Sequence, residues 1–296
     1  MEVREMFWKT EYKLPGTPWT MSGYSRSAYR TGFFLQGLNI MLDGGPQCFK
    51  KIDHIFITHS HGDHIAELPF SMIQDIPNEE SKITLYCPAE AETELRKYIM
   101  QLHNTNSLKD TSAVTASYYN LVPIAQEHTI RRIYINKQLM ELETVGADHS
   151  VPTVIYGFSV VKDKLDPKYV GLTGKEIGAL RRTGEKVTIE FVDKKFCYVL
   201  DTSIETIKTN PQFLTYPVVI IECSFLLDDE CDLATQKKHI HWNHLRPYVE
   251  SNPATLFILT HFSLRYRDQE IKDFFDKVKT ETGITNIHVW LTDTVK

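Results

Sequence analysis

Four side chains able to hold a metal fall within six positions of the segment Ile55-Phe-Ile-Thr-His-Ser-His-Gly-Asp-His64. In an extended chain His59 and His61 point the same way, because strand side chains repeat every two residues. Gly62 is expected to let the backbone turn sharply. Asp63 and His64 can then open a helix and face a second ion beside the first. Imidazole nitrogen and carboxylate oxygen are the usual zinc ligands at hydrolytic sites. An aspartate N-cap beside surface histidines would be the bland explanation. It does not account for three histidines and an aspartate in this order. The cluster predicts two metal ions per chain, zinc by donor type with manganese or iron as alternatives, and hydrolysis as their use.

Ligands spread along a chain need strands and helices to gather them. Short β-branched or aromatic runs predict strands at Phe33–Leu42, Ile55–Thr58, Ile83–Tyr86, Leu139–Val145, Val187–Val192, Lys195–Leu200, Val218–Ile221, Leu256–Thr260 and Ile287–Leu291. Amphipathic patterns predict helices at Asp63–Gln74, Ala89–Leu102, Leu172–Arg182, Trp242–Glu250 and Gln269–Thr280. Together they imply an α/β protein with helix-covered sheets. Residues 103–137 and 162–186 read as surface elaborations, the second locally basic through residues such as Lys175, Arg181 and Arg182. That basic segment is either a solvated helix and turn or a contact for an anionic substrate. No internal repeat is legible.

Composition narrows the classes. The 296 residues carry a net charge of −5, which argues against wholesale wrapping of nucleic acid while leaving room for a local basic patch. The five cysteines are scattered and form no CxxC pair, so a reducing compartment is expected. No apolar run approaches the length of a membrane span, and the first residues lack the pattern of a signal peptide. These features predict an intracellular protein, cytoplasmic or nuclear.

His-x-His-x-Asp-His after an apolar strand resembles the signature of the metallo-β-lactamase superfamily. The resemblance implies a four-layer αβ/βα sandwich, with the site at one edge between the sheets. Further segments are similar in order and context: Asp43 in Met-Leu-Asp-Gly-Gly, His149 in Ala-Asp-His-Ser-Val-Pro, Asp201 in Tyr-Val-Leu-Asp-Thr, and His261 in Leu-Thr-His-Phe-Ser. By this resemblance His59, His61 and His149 hold one ion, and Asp63, His64 and His261 hold the other. Asp201 bridges them, and Asp43 supports the metal loop without touching metal.

Within the superfamily, Leu259-Thr-His-Phe-Ser-Leu-Arg-Tyr266 and the stretch 148–157 are most similar to ribonuclease Z, the endonuclease that trims tRNA 3′ ends. That family pairs a glutamate with a histidine beside its zinc ions. Glu222 in Ile-Glu-Cys-Ser-Phe resembles the glutamate. His239, 22 residues before His261, fits the family's spacing for the histidine, and His241 competes with it. The resemblance implies an endoribonuclease acting through a hydroxide held between two zinc ions, with RNA such as precursor tRNA as substrate and a homodimer as assembly. Asp63 would orient and deprotonate the nucleophile. The chain is expected to be one metallo-hydrolase domain, 1–296, with 158–190 as a reduced arm-like insertion lacking the family's Gly-Pro core. Ile221 stands where the family usually has a histidine. A hydrolase of small phosphodiesters, esters or β-lactams on the same centre is the alternative, and a non-catalytic RNA-binding protein is a third.

Overall fold

The computed structural model describes residues 7–72, 82–111 and 119–291. Its strands form two seven-stranded sheets. The first contains β1 (Glu11–Lys13), β2 (Thr20–Arg26), β3 (Arg30–Gln36), β4 (Ile40–Leu42), β5 (His54–Phe56), β6 (Ile83–Pro88) and β7 (Tyr119–Ile124), side by side in chain order. The second contains β8 (Thr129–Ile135), β9 (Gln138–Ala147), β10 (Thr153–Leu165), β11 (Thr188–Val199), β12 (Val218–Glu222), β13 (Leu256–Thr260) and β14 (Ile287–Val289). In each sheet the first four strands pair antiparallel and the last four pair parallel. The two halves thus share one topology, although no repeat is legible in their residues.

The helices are α1 (Gly62–Ile65), α2 (Leu68–Met72), α3 (Glu92–Ser107), α4 (Gly174–Arg182), α5 (Ile204–Thr209), α6 (Cys231–Lys237), α7 (Trp242–Ser251) and α8 (Asp268–Thr282). Alternation along the strands divides the core into three layers. Phe196, Tyr198, Ile220 and Ile258 turn inward and meet Phe33, Leu42 and Phe56 of the first sheet. Their neighbours Cys197, Val199, Ile221 and Leu259 turn outward onto Trp242, Leu245 and Phe275 of α7 and α8. On the other side Met41, Ile55 and Leu85 pack on Leu95 and Ile99 of α3. Period-two strands buried on both faces therefore give helix, sheet, sheet, helix. This is the four-layer αβ/βα sandwich expected from the sequence.

Several boundaries differ from expectation. The predicted strand Phe33–Leu42 is two strands, split where Gly37 and Asn39 take positive φ and reverse the chain. The two predicted strands between Val187 and Leu200 are one, β11. Residues 103–137 are not mere elaboration, since they hold β7 and β8. Pro123 fits β7 because that strand lies at a sheet edge, where a missing donor is tolerated. Residues 73 and 74, the end of the helix expected at Asp63–Gln74, lie outside the described residues.

The segment 158–190 is built on strands. The first eight residues of β10 are buried, and its end then runs into solvent paired with the start of β11. This ribbon carries α4, whose N-terminus is closed by a Thr173–Glu176 capping box. All five cysteines are free thiols. No helix among the described residues is long and apolar enough to cross a membrane.

Candidate metal centre

The parallel strands deliver the site residues to one edge. Glu222 ends β12, and His59, Asp201 and His261 follow β5, β11 and β13 by one to three residues. Strand β9 runs in the same direction as β11, since both pair antiparallel with β10, so His149 after β9 arrives at the same edge. Carboxyl ends of parallel strands are where open α/β sheets place their ligands.

The side chains form two groups sharing Asp201. His59, His61, His149 and Asp201 offer ligand atoms all within 4.8 Å of one another, and so do Asp63, His64, Asp201 and His261. In the first group His59 Nε2 lies 3.0 Å from His61 Nδ1, and His149 Nε2 lies 3.3 Å from the same atom. In the second, His64 Nε2 and His261 Nε2 are 3.4 Å apart, and His261 Nε2 is 3.2 Å from Asp201 Oδ1. Zinc–nitrogen bonds of about 2.0–2.1 Å in a tetrahedron separate ligand atoms by roughly 3.3–3.4 Å. The spacing therefore fits metal ligation. Asp201 Oδ1 is buried and has no hydrogen-bond partner, as a metal-seeking carboxylate oxygen would be. The donor set, five imidazoles and two carboxylates, suits zinc.

Electrostatics divide the set: against burial, Asp201 and Asp43 raise His64 well above the usual histidine range, while the other shifts favour ligation. Burial pushes His59, His61 and His149 below the usual histidine range, so these rings are neutral, the form that ligates. Burial works against ionisation of Asp63, but the His261 hydrogen bond and the His64 and His261 charges outweigh it and bring the carboxyl down to about 2. Asp201 is likewise held well below the carboxylate range, against burial, by His261 and His64.

Asp43 underlies the metal loop. It accepts from the Thr58 amide at 2.8 Å, from the Thr58 hydroxyl, from His64 Nδ1 at 2.9 Å and from the Tyr198 hydroxyl at 2.8 Å. It touches no other ligand atom of the two groups. Backbone strain gathers here too. Of the eight non-glycine residues with positive φ among the described residues, four, Ala28, Asp43, Lys238 and His261, lie at or beside this site, in a conformation that costs free energy and persists where surroundings enforce it. The Ala28 amide donates to Asp63 Oδ2 at 3.0 Å. Gly45 also has a steric reason, because a Cβ there would lie 1.9 Å from the Asp63 carbonyl oxygen. The expectation for Gly62 is corrected: it opens α1 without positive φ, and a Cβ there would meet nothing within 4 Å.

The structure separates His239 from His241. His239 Nδ1 lies 3.0 Å from both oxygens of Glu222, whose carboxylate also accepts from the amides of Thr202 and Ile240 and from the Ser224 hydroxyl. The His239 ring sits 5.2 Å from that of His149 and 5.7 Å from that of His261, one from each ligand group. Burial opposes its charge, but Glu222 outweighs it and raises His239 to about 9. His241 is buried elsewhere. Its Nδ1 accepts from the Asn243 amide as the N-cap of α7, and its Nε2 meets the Leu227 carbonyl at 2.8 Å. Both ring nitrogens are engaged by backbone, which leaves His239 as the histidine paired with Glu222. A cavity of about 420 Å³ opens beside His239, lined in part by Asp148, Ser203, Asn243, His244 and Tyr248.

Lys175, Arg181 and Arg182 are exposed on α4 and do not join this site. The 12 residues of β11 place about 35–40 Å of strand between Asp201 and the loop carrying α4, at roughly 3.3 Å per residue. The nine residues of α4 span only about 14 Å and cannot close that gap. Sequence reasoning missed Thr58, Tyr198, Ser224 and Lys238. Only Ser224 carried a legible signal, two residues after Glu222 and so on the same face of an extended chain.

Solved structures similar to this one include YhfI from Bacillus subtilis, a metallo-β-lactamase fold protein, and the short form of human tRNase Z. YhfI aligns with TM-score 0.56 at 13% identity, covering 91% of this chain and 94% of that one. Human tRNase Z aligns with TM-score 0.52 at 17% identity, covering 82% and 92%. The chain has the metallo-β-lactamase fold. Sequence comparison finds ribonuclease Z proteins over most of its length. It is 27% identical over 270 residues to tRNase Z TRZ1 of Arabidopsis thaliana, covering 90% of this chain and 92% of that protein. It is 26% identical over 273 residues to ribonuclease Z of Clostridium tetani, covering 82% and 84%. A family profile described as anti-Pycsar protein Apyc1 matches residues 38–169, under half of the chain. Within this metallo-β-lactamase fold, that match takes in His59 through His149 and stops before Asp201 and His261.

Proposed function

We propose that the protein is a metal-dependent phosphodiesterase of ribonuclease Z type that cleaves RNA, with two zinc ions as its metal. The observation that carries this reading is the Glu222–His239 pair, wedged between the two ligand groups with His239 Nδ1 held by the carboxylate. Breaking a phosphodiester at a ribose oxygen needs a proton donor, because an alkoxide is a poor leaving group.

His59, His61 and His149 would hold one ion, Asp63, His64 and His261 the other, and Asp201 both. When bound, the ions would supply water activation at neutral pH and offset charge on the phosphoryl oxygens. Asp63 can orient the attacking water and accept its proton. Water adds to phosphorus, and the bond to the ribose oxygen breaks. His239, its proton secured by Glu222, gives that proton to the departing oxygen. The products are a 3′-hydroxyl and a 5′-phosphate. Nearby metal charge would bring His239 down from about 9 towards neutrality, where an acid transfers protons most effectively.

The basic residues of α4 stand about 35–40 Å of strand from their own chain's metal centre, so only a substrate long enough to span that distance meets both. A homodimer belongs to this reading, with intracellular RNA, precursor tRNA among it, as substrate. The same separation favours a second reading, in which one chain turns over small phosphodiesters without the arm. Zinc-loaded protein incubated with precursor tRNA, unstructured RNA and bis(p-nitrophenyl) phosphate tests both. Cleavage of RNA, lost in Asp63→Ala, is the expected result. Turnover of the small diester with both RNAs left intact overturns the first reading in favour of the second.

A further inference from the structure

Ser224 joins the proton donor to the metal ligands. It is wholly buried, two residues beyond the end of β12. Its Oγ lies 2.6 Å from Glu222 Oε2, 3.2 Å from His261 Nδ1 and 2.9 Å from the His261 carbonyl oxygen. A hydroxyl has one proton to give and two lone pairs. The carboxylate is the stronger acceptor and the nearer one, so it takes the proton. A lone pair of Oγ then faces His261 Nδ1, which must carry the hydrogen between them. With a metal bound, His261 Nε2 then gives up its proton and offers a lone pair, and this is the atom 3.2 Å from Asp201 and 3.5 Å from Asp63. The result is one directed chain: His261 Nδ1–H to Ser224 Oγ–H to Glu222 Oε2, with His239 Nδ1–H donating to the same carboxylate.

We propose that Ser224 is a positioning residue for phosphodiester cleavage, fixing the His261 tautomer and the Glu222 carboxylate together so that His239 is held in register with the ligand set. This rests on the function proposed above. The geometry argues for more than filling space. The backbone of the same turn is already tied to the His261 segment, by Cys223 N–H to the Thr260 carbonyl at 2.8 Å and Ser263 N–H to the Ser224 carbonyl at 3.0 Å. The hydroxyl is therefore spare as a structural tie. Without it Glu222 would keep the Thr202 amide on Oε1 and the Ile240 amide on Oε2, so the carboxylate would remain buried and bonded, with Oε2 one donor short and its link to His261 lost.

The test uses zinc-loaded full-length protein as Ser224→Ala and Ser224→Thr, with an RNA substrate and with bis(p-nitrophenyl) phosphate, whose leaving group needs no proton. Ser224→Ala is expected to lower kcat on RNA about tenfold or more. On the p-nitrophenyl diester it should change kcat by less than about threefold, with KM and two zinc ions per chain retained. Ser224→Thr, which keeps the hydroxyl, should restore RNA cleavage. Equal losses on both substrates, loss of an ion, or unchanged kcat on RNA would each overturn the proposal. Proton NMR gives a readout independent of turnover: downfield Nδ1–H signals of His261 and His239 in the zinc-loaded protein are expected to broaden or vanish in Ser224→Ala. If the unaltered protein cleaves neither substrate, the functional reading fails. Unchanged Nδ1–H signals in the variant would then overturn the positioning role as well, on separate evidence.

Discussion

The carbonyl oxygen of Lys238 lies 3.2 Å from Nδ1 of the metal-site residue His149, and Lys238 immediately precedes His239. One peptide therefore turns the Nε2 of His149 toward the other ligands and launches the side chain that meets Glu222. The turn depends on the left-handed backbone of Lys238, φ 55°, which glycine adopts at lower cost than lysine. The lysine ammonium bridges to Asp148 at 2.8 Å, but both side chains are 40% exposed or more, and such pairs contribute roughly 0–1 kcal/mol. Lys238→Gly is expected to keep zinc stoichiometry and to change stability by less than about 1 kcal/mol, because it removes the ion pair and relieves the backbone. Calorimetry and metal analysis check this. A large loss of zinc would mean that the ammonium, not the carbonyl, organises His149.

Asp201 belongs to both candidate ligand groups, so on the proposed function its loss should matter most for metal binding. Asp201→Asn should reduce bound zinc below two ions per chain, measured by elemental analysis after dialysis. Metal should also stabilise the folded state by about 2.7 kcal/mol at a free concentration a hundred times the dissociation constant. Melting temperature is thus expected to rise with zinc and to fall with chelator, and this response should be blunted in Asp201→Asn.

The two histidines at the start of α7 should behave oppositely. His239→Ala is expected to lower kcat on RNA by roughly 10²–10³ while leaving folding intact. His241→Ala should cost about 1 kcal/mol of stability through the lost N-cap, with kcat near that of the unaltered enzyme. Parallel denaturant titrations and RNA cleavage assays separate these outcomes.

The pH behaviour of the metal-free protein has a definite sign. His239 is raised to about 9 by Glu222, against an ordinary value near 6.5. A raised pKa stabilises the fold fully below the unfolded value and loses that contribution as pH rises through the folded one. The pair's contribution should be complete below about pH 6.5 and gone above about pH 9. Histidine NMR titration and urea midpoints across this window report it. In Glu222→Gln the Asp201 charge alone opposes burial and the His64 charge, so His239 should titrate well below 9 and most of the stability loss between pH 6.5 and 9 should disappear.

Two glycines of the metal loop offer a steric contrast. Gly45→Ala would drive a Cβ into the Asp63 carbonyl and the backbone of Thr31, so it should lower the melting temperature and weaken zinc binding together. Gly62→Ala meets open space at the first position of α1 and should be neutral or stabilising by up to about 1 kcal/mol. Thermal melts of the two variants decide the point.

The layered fold was legible where patterns are local. The runs around Ile55, Val218 and Leu256 are short, apolar and followed by a chemical residue, and they became parallel strands ending at the site. Strand β10 was not recognised, although the run Val154 to Val161 is almost wholly apolar. Periodicity cannot tell such a run from other buried segments, and only its pairing with β9 and β11 makes it a central strand. The basic residues of α4 were legible as charge. Their remoteness from Asp201 was not, because it is set by the length of a strand that reads as two.

The sequence by itself determined the donor set. His59, His61, Asp63 and His64 are close along the chain, so their geometry follows from a strand, a turn and the first turn of a helix. It also determined that His149, Asp201 and His261 each follow an apolar run. Only the tertiary structure decided what depends on contacts between distant segments. It turned His239 rather than His241 toward the centre, because Glu222 and two backbone amides form a buried carboxylate site for one ring while α7 claims the other. It brought the Lys238 carbonyl to His149 across 89 residues and the Ser224 hydroxyl to His261 across 37. Spacing along a chain can nominate a ligand. Which proton faces it is settled by partners that fold in from elsewhere.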